Sequence, residues 1–128
     1  MLNNTIRSYE AAGTITEYAL VSVNAAAKIV VTTDPTDINC IGVAQRGGSS
    51  GDMVDVVIHG LTRAIAGDTL NFFSTPVLAA TTAGKLQAAE ATDTTFFPTA
   101  RVLGNLSQVS AADGEQVEVF FFGVNKLA

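Results

Sequence analysis

Charge is scarce in this sequence. Asp, Glu, Lys and Arg make up 15% of its 128 residues, against roughly 25% in an ordinary domain. A folded chain of this size exposes about 6,400 Å², which seven basic and twelve acidic side chains cover only thinly. Thr, Ser, Asn, Ala and Gly must cover the rest, and such a surface suits faces that lie against partners. The basic residues Arg7, Lys28, Arg46, Arg63, Lys85, Arg101 and Lys126 are scattered, and the net charge is −5. A phosphate backbone demands a basic stripe, so nucleic acid is excluded as a partner. No apolar run approaches the roughly eighteen residues of a membrane-spanning helix, so no membrane partner is expected. The start, Met1-Leu2-Asn3-Asn4-Thr5, lacks the basic-then-apolar order of a signal peptide, and the expected setting is cytosolic.

Chemically versatile side chains are equally few. Cys40 is the one cysteine, which excludes an intrachain disulfide. It lies in an apolar run with no cationic neighbour to stabilise a thiolate. His59 is the one histidine, which excludes a multi-histidine metal site. Asp55, four residues away on the same strand face, stands about 13 Å from it, too far for a hydrogen bond. Gly84-Lys85 fails as a phosphate loop because Leu86 replaces the hydroxyl residue and Ala79 the first glycine. Gly47-Gly48-Ser49-Ser50-Gly51 joins two strands and opens no helix, so it reads as a hairpin tip. Asp34 and Asp37 flank a proline turn without the spacing of a calcium loop. Asn3-Asn4-Thr5 and Asn105-Leu106-Ser107 match the glycosylation triplet, but without a secretory signal they count as coincidence. The expectation is a protein with no enzymatic activity, no metal and no cofactor.

What the chain does contain is one module twice. Ile41-Gly42-Val43-Ala44, a polar loop and Gly51-Asp52-Met53-Val54-Asp55-Val56-Val57-Ile58 form the first copy. Val102-Leu103-Gly104-Asn105-Leu106, a polar loop and Gly114-Glu115-Gln116-Val117-Glu118-Val119-Phe120-Phe121 form the second. Each pairs a glycine-bearing apolar strand with one that opens on Gly-acid and then alternates, the signature of a β-hairpin with a long loop. Val54, Val56 and Ile58 then match Val117, Val119 and Phe121 as inner faces.

Residues 1–14 are mostly polar and read as an extended N-terminal arm, with residues 15–128 as one β-domain. Strands are predicted over Ile15–Val23, Lys28–Thr33, Leu61–Ile65 and Thr69–Phe73, separated by Gly, Pro and Asp turns. Residues 85–92 fit either a strand or a short Ala-rich helix. Many short, punctuated strands give an all-β fold, a small barrel or sandwich. Phe120, Phe121 and Phe122 put aromatic bulk on both faces of the last strand, so this stretch is the expected oligomer interface.

The ordered set of segments resembles the capsid decoration (head-stabilising, or cement) proteins of tailed phages. The segments are Ala11-Ala12-Gly13-Thr14-Ile15, Ile41-Gly42-Val43-Ala44, Gly51-Asp52 with its valine strand, Val102-Leu103-Gly104 and Gly114-Glu115-Gln116-Val117-Glu118-Val119. The resemblance covers residues 11–124. It implies a non-enzymatic virion protein, made in the bacterial host cytoplasm and placed on the outer capsid surface. It further implies a homotrimer that bridges subunits of the major capsid protein and stabilises the expanded shell. In such proteins an arm adds a strand to a capsid-protein sheet, and here Ile6, Tyr9, Thr14 and Ile15 are the arm residues that would do so. A tail-tube or baseplate β-protein of a similar virus is the alternative. A small ligand-binding barrel or enzyme, which would need a clustered polar pocket, is a third.

Overall fold

The computed structural model describes residues 5–33, 39–71, 77–81, 83–88, 98–102 and 110–122. Among them the chain forms strands and no helix, so the all-β expectation holds. In chain order the strands are β1 (Thr5–Glu10), β2 (Leu20–Val23), β3 (Ile29–Val31), β4 (Cys40–Ala44) and β5 (Met53–Ile65). They continue with β6 (Leu70–Asn71), β7 (Val77–Ala80), β8 (Leu86–Ala88), β9 (Pro98–Val102), β10 (Ser110–Ala111) and β11 (Gln116–Phe121). The main sheet runs β3-β2-β4-β5-β11-β9-β7-β8, with β1 added to β5, while β6 and β10 form a separate small pair. Its two end strands do not pair with each other among the described residues, so no barrel closes there.

Several predicted boundaries move. Residues 16–19 form a turn instead of the start of a strand, closed by the Ala19 N–H donating to the Thr16 carbonyl at 3.1 Å. Gly60 does not end a strand: β5 runs through it with φ at +127°, a backbone state open to glycine. Leu86–Ala88 is strand, and residues 89–92 of the helix alternative lie outside the described residues. So do Asp34-Pro35-Thr36-Asp37, Met1–Asn4 and Leu103–Leu106. Gly42 in β4 has a packing reason: a Cβ there would overlap the Val57 carbonyl oxygen and Val56 Cγ1.

The repeated hairpin is the visible part of a larger duplication. One half holds β1, β2, β3, β4 and the first part of β5; the other holds the second part of β5, then β7, β8, β9 and β11. In the first half β1 pairs with β5, β2 with β3, β2 with β4 and β4 with β5, all antiparallel. The second half repeats this with β5–β11, β7–β8, β7–β9 and β9–β11. The joints correspond bond for bond. Ala11 donates its N–H to the Asp52 carbonyl and accepts from Gly51, both at 2.8 Å. Ala66 does the same with Glu115 and Gly114, again at 2.8 Å. Gly51 and Gly114 sit at φ +93° and +91°. The following carboxylates each accept a backbone N–H three residues upstream, Asp52 from Ser49 at 2.8 Å and Glu115 from Ala112 at 2.7 Å.

Two apolar clusters follow from this layout. The larger joins Leu20 and Val43 of the first half to Leu78, Leu86, Val117, Val119 and Phe121 of the second. The smaller packs Ala11, Ile15, Val21, Ile29, Ala44, Val54 and Val56 within the first half. Leu20 with Val21, and Val43 with Ala44, thus send adjacent side chains into different clusters, so β2 and β4 are covered on both faces.

Candidate functional site

Sheet edges are where a β-protein is open to another chain, because their outward backbone groups lack partners. Two of the three outer strands of the main sheet are blunted. β3 is met by Ala11 in a parallel bridge to Ile29, and the Ala12 N–H donates to the Ile29 carbonyl at 2.9 Å. β8 is met in the same way by Ala66, with the Gly67 N–H on the Leu86 carbonyl at 2.8 Å. β1 pairs with β5 on one side and with no described strand on the other.

The residues of β1 explain both its hold on the domain and its openness. Thr5, Ile6, Arg7 and Ser8 are exposed, and Tyr9 and Glu10 half-buried. Tyr9 packs on the smaller cluster and Ala11 is fully buried, which anchors the end of the strand. The Ser8 hydroxyl donates to the Asp55 carboxylate at 2.6 Å, and Glu10 pairs with Lys28 at 2.9 Å. These contacts are exposed, so each contributes at most about 1 kcal/mol. Ile6 is 54% exposed, and with Met53 at 51% it is one of the two large apolar side chains that the described residues leave open. The register sets Ile6 opposite Val57 and Glu10 opposite Met53, so both open side chains lie on one face of the β1–β5 ribbon.

The corresponding strand of the second half also pairs with no described strand on its outer side, but residues of the first half approach it. Matching Ala11 to Ala66 places Ile6 on Leu61 and Ser8 on Arg63. Alongside that part of β5 lie the turn of residues 16–19 and Gln45, whose side-chain amide donates to the Thr62 hydroxyl at 2.7 Å.

The predicted site residues therefore divide. Ile6 stands exposed on β1 and Thr14 is exposed beyond it, while Tyr9 faces the domain. Residues 5–12 are not an arm separate from the domain, because they pair with β5 and β3 inside the chain. Ile15 is 2% exposed and exchanges backbone hydrogen bonds with Gly48 at 2.8 and 3.0 Å, so it packs inside its own chain instead of reaching outward. Phe121 is fully buried in the larger cluster and cannot touch a second copy in this structure. Phe120 and Phe122 are half-buried, and Phe120 meets His59 edge-on with centroids 5.0 Å apart. In the sequence Met53 is one more alternating position; its place on the same ribbon face as Ile6, four residues along, depends on the β1 register. Among the described residues no three His, Cys, Asp or Glu side chains gather as metal ligands. Cys40 is buried and is not part of a disulfide.

No protein-family model matches this chain, and no curated protein matches it. Among solved structures it is similar to the N base of the head fiber gp8.5 of bacteriophage phi29, with a TM-score of 0.66 at 15% identity. The match covers 98% of this chain and 100% of that one. At that identity the likeness is one of fold.

Proposed function

We propose that this chain is a non-enzymatic structural protein of a tailed-phage virion, seated on the outer surface of the capsid. The shared fold with a phage head-fiber base supports the virion setting. The observation that carries the docking mode is the outer edge of β1, which meets no strand among the described residues. Main-chain hydrogen bonds along such an edge give affinity, and alternate side chains give register. In this reading a strand of the major capsid protein lies along β1, with Ile6 as its apolar contact, and the protein bridges and stabilises neighbouring shell subunits. The arm thus acts in place, as the last strand of its own sheet, and offers its edge outward. Copies associate as a trimer through the outer face of the β5–β11 ribbon, where His59, Leu61 and Phe120 lie together. Three linked copies bind more tightly than one because later contacts form at high effective concentration.

The test is co-sedimentation with expanded capsids of the phage that encodes the chain. Ile6→Lys puts a charge on the open edge, the device by which natural edges refuse a partner strand. It is expected to abolish binding while the domain stays folded; unchanged decoration by this variant overturns the docking mode. Deleting residues 1–14 is not an equivalent experiment, because it also removes Ala11 from the core.

A further inference from the structure

The duplication includes one turn that the two halves use differently. Asn24 and Lys28 close the turn between β2 and β3; Thr81 and Lys85 close the one between β7 and β8. The Asn24 N–H donates to the Lys28 carbonyl at 2.9 Å, and its side-chain oxygen accepts from the Ala26 and Lys28 N–H groups at 2.9 and 3.1 Å. Thr81 repeats each bond. Its N–H donates to the Lys85 carbonyl at 2.8 Å, and its hydroxyl accepts from Ala83 and Lys85 at 3.1 and 3.2 Å. Both turns hold a left-handed residue, Ala27 at φ +61° and Gly84 at +71°. Counted outward from the turns, Leu20 matches Val77, Ala27 matches Gly84 and Val31 matches Ala88.

The second half plugs its turn into the first half. Gly84 is buried, and its carbonyl accepts the Leu20 N–H at 2.8 Å. A Cβ on Gly84 would overlap Val31 Cγ1, so the contact admits only glycine there. The first half leaves its own turn open. Ala25, Ala26 and Ala27 are exposed, and among the described residues no donor reaches the Ala27 carbonyl. The surface matching the one that holds Gly84 is the β7–β8 pair, where Ala88 stands exposed in the place of Val31. The sizes are exchanged to fit. Inside the chain glycine meets valine; on the two open surfaces alanine would meet alanine, the extra methyl on the turn matched by a smaller wall.

We infer that a second copy of this chain covers the Asn24 turn, with its β7–β8 pair repeating the internal contact. The Val77 N–H of one copy then donates to the Ala27 carbonyl of the next, as Leu20 does to Gly84. Such a contact joins two different surfaces, so it is head-to-tail, and repetition closes a ring when the rotation allows. Three copies would set six halves in that ring. The count of three rests on the trimer proposed above; the contact itself does not.

The test is sedimentation velocity of the full chain over a concentration series. The parent is expected to self-associate. Ala88→Val, on an exposed strand position, restores the larger wall against the Ala27 methyl and should weaken association about tenfold or more. Adding Ala27→Gly recreates the internal pairing and should bring association back to within about threefold of the parent. Cross-linking reads the direction. Ala27→Cys alone and Ala88→Cys alone should give no disulfide-linked dimer, whereas their mixture should; the parent, with only the buried Cys40, is the blank. The inference is overturned if the parent is monomeric throughout, if Ala88→Val associates like the parent, if Ala27→Gly fails to rescue it, or if the mixture does not cross-link. Trimers that persist unchanged in Ala88→Val would remove this contact and leave the β5–β11 face standing.

Discussion

The two halves of this molecule are built to one plan and end differently. Each has a first strand laid against a last strand, a buried alanine where the first strand leaves the sheet, and a left-handed glycine followed by a capping acid. In the second half the first strand is the continuation of β5, and the turn carrying Tyr18 lies beside it. In the first half the first strand is β1, and its outer edge meets no described strand. The same architectural position is thus approached by the other half in one case and meets no described strand in the other.

The two halves should respond most differently to substitutions in the core. Phe121 and Ile58 occupy matching positions after Gly114 and Gly51, but Phe121 is fully buried and Ile58 only half so. Phe121→Ala should cost about 3–5 kcal/mol and Ile58→Ala about 1–2 kcal/mol, as expected for partial burial. Chemical denaturation measures both, and equal costs would mean that the halves are packed alike. The turn glycines should behave as twins instead. A Cβ at Gly51 or Gly114 meets nothing within 4 Å, so alanine at either costs only the left-handed strain, about 1–2 kcal/mol. A difference between the two larger than that range would refute their equivalence. Asp52→Ala and Glu115→Ala each remove one exposed cap and should cost about 0.5 kcal/mol apiece, the low end for a hydrogen bond. Ile6→Lys should change the melting temperature least, corresponding to no more than about 0.5 kcal/mol, as for an exposed position. Its effect belongs to binding.

The tandem hairpin could be read from the sequence because it is written in side chains. Gly-acid followed by alternating valines marks both β5 and β11, and Val54, Val56, Val117 and Val119 are all fully buried as that alternation requires. The rest of the duplication is carried by backbone hydrogen bonds at Ala11 and Ala66, and two isolated alanines leave no pattern to find. The continuity of β5 was hidden by Gly60, which looks like a terminator but here bends the strand without breaking it. Polar composition marked residues 1–14 as an arm, and β1 is polar for a related reason: four of its six side chains face solvent. Composition reports exposure, and an edge strand is as exposed as a tail. Phe120-Phe121-Phe122 asked for cover on both faces, but Phe121 finds it inside the chain, a distinction that needs the position of β5 and the larger cluster.

Docking along the outer edge of β1 is decided by a reconstruction of decorated capsids at a resolution that traces the main chain. A strand of the shell protein is expected to lie hydrogen-bonded along Thr5–Glu10, with Ile6 at the contact and β1 still paired to β5 of its own chain. A reconstruction in which the β1 edge faces solvent and another surface meets the shell would contradict it.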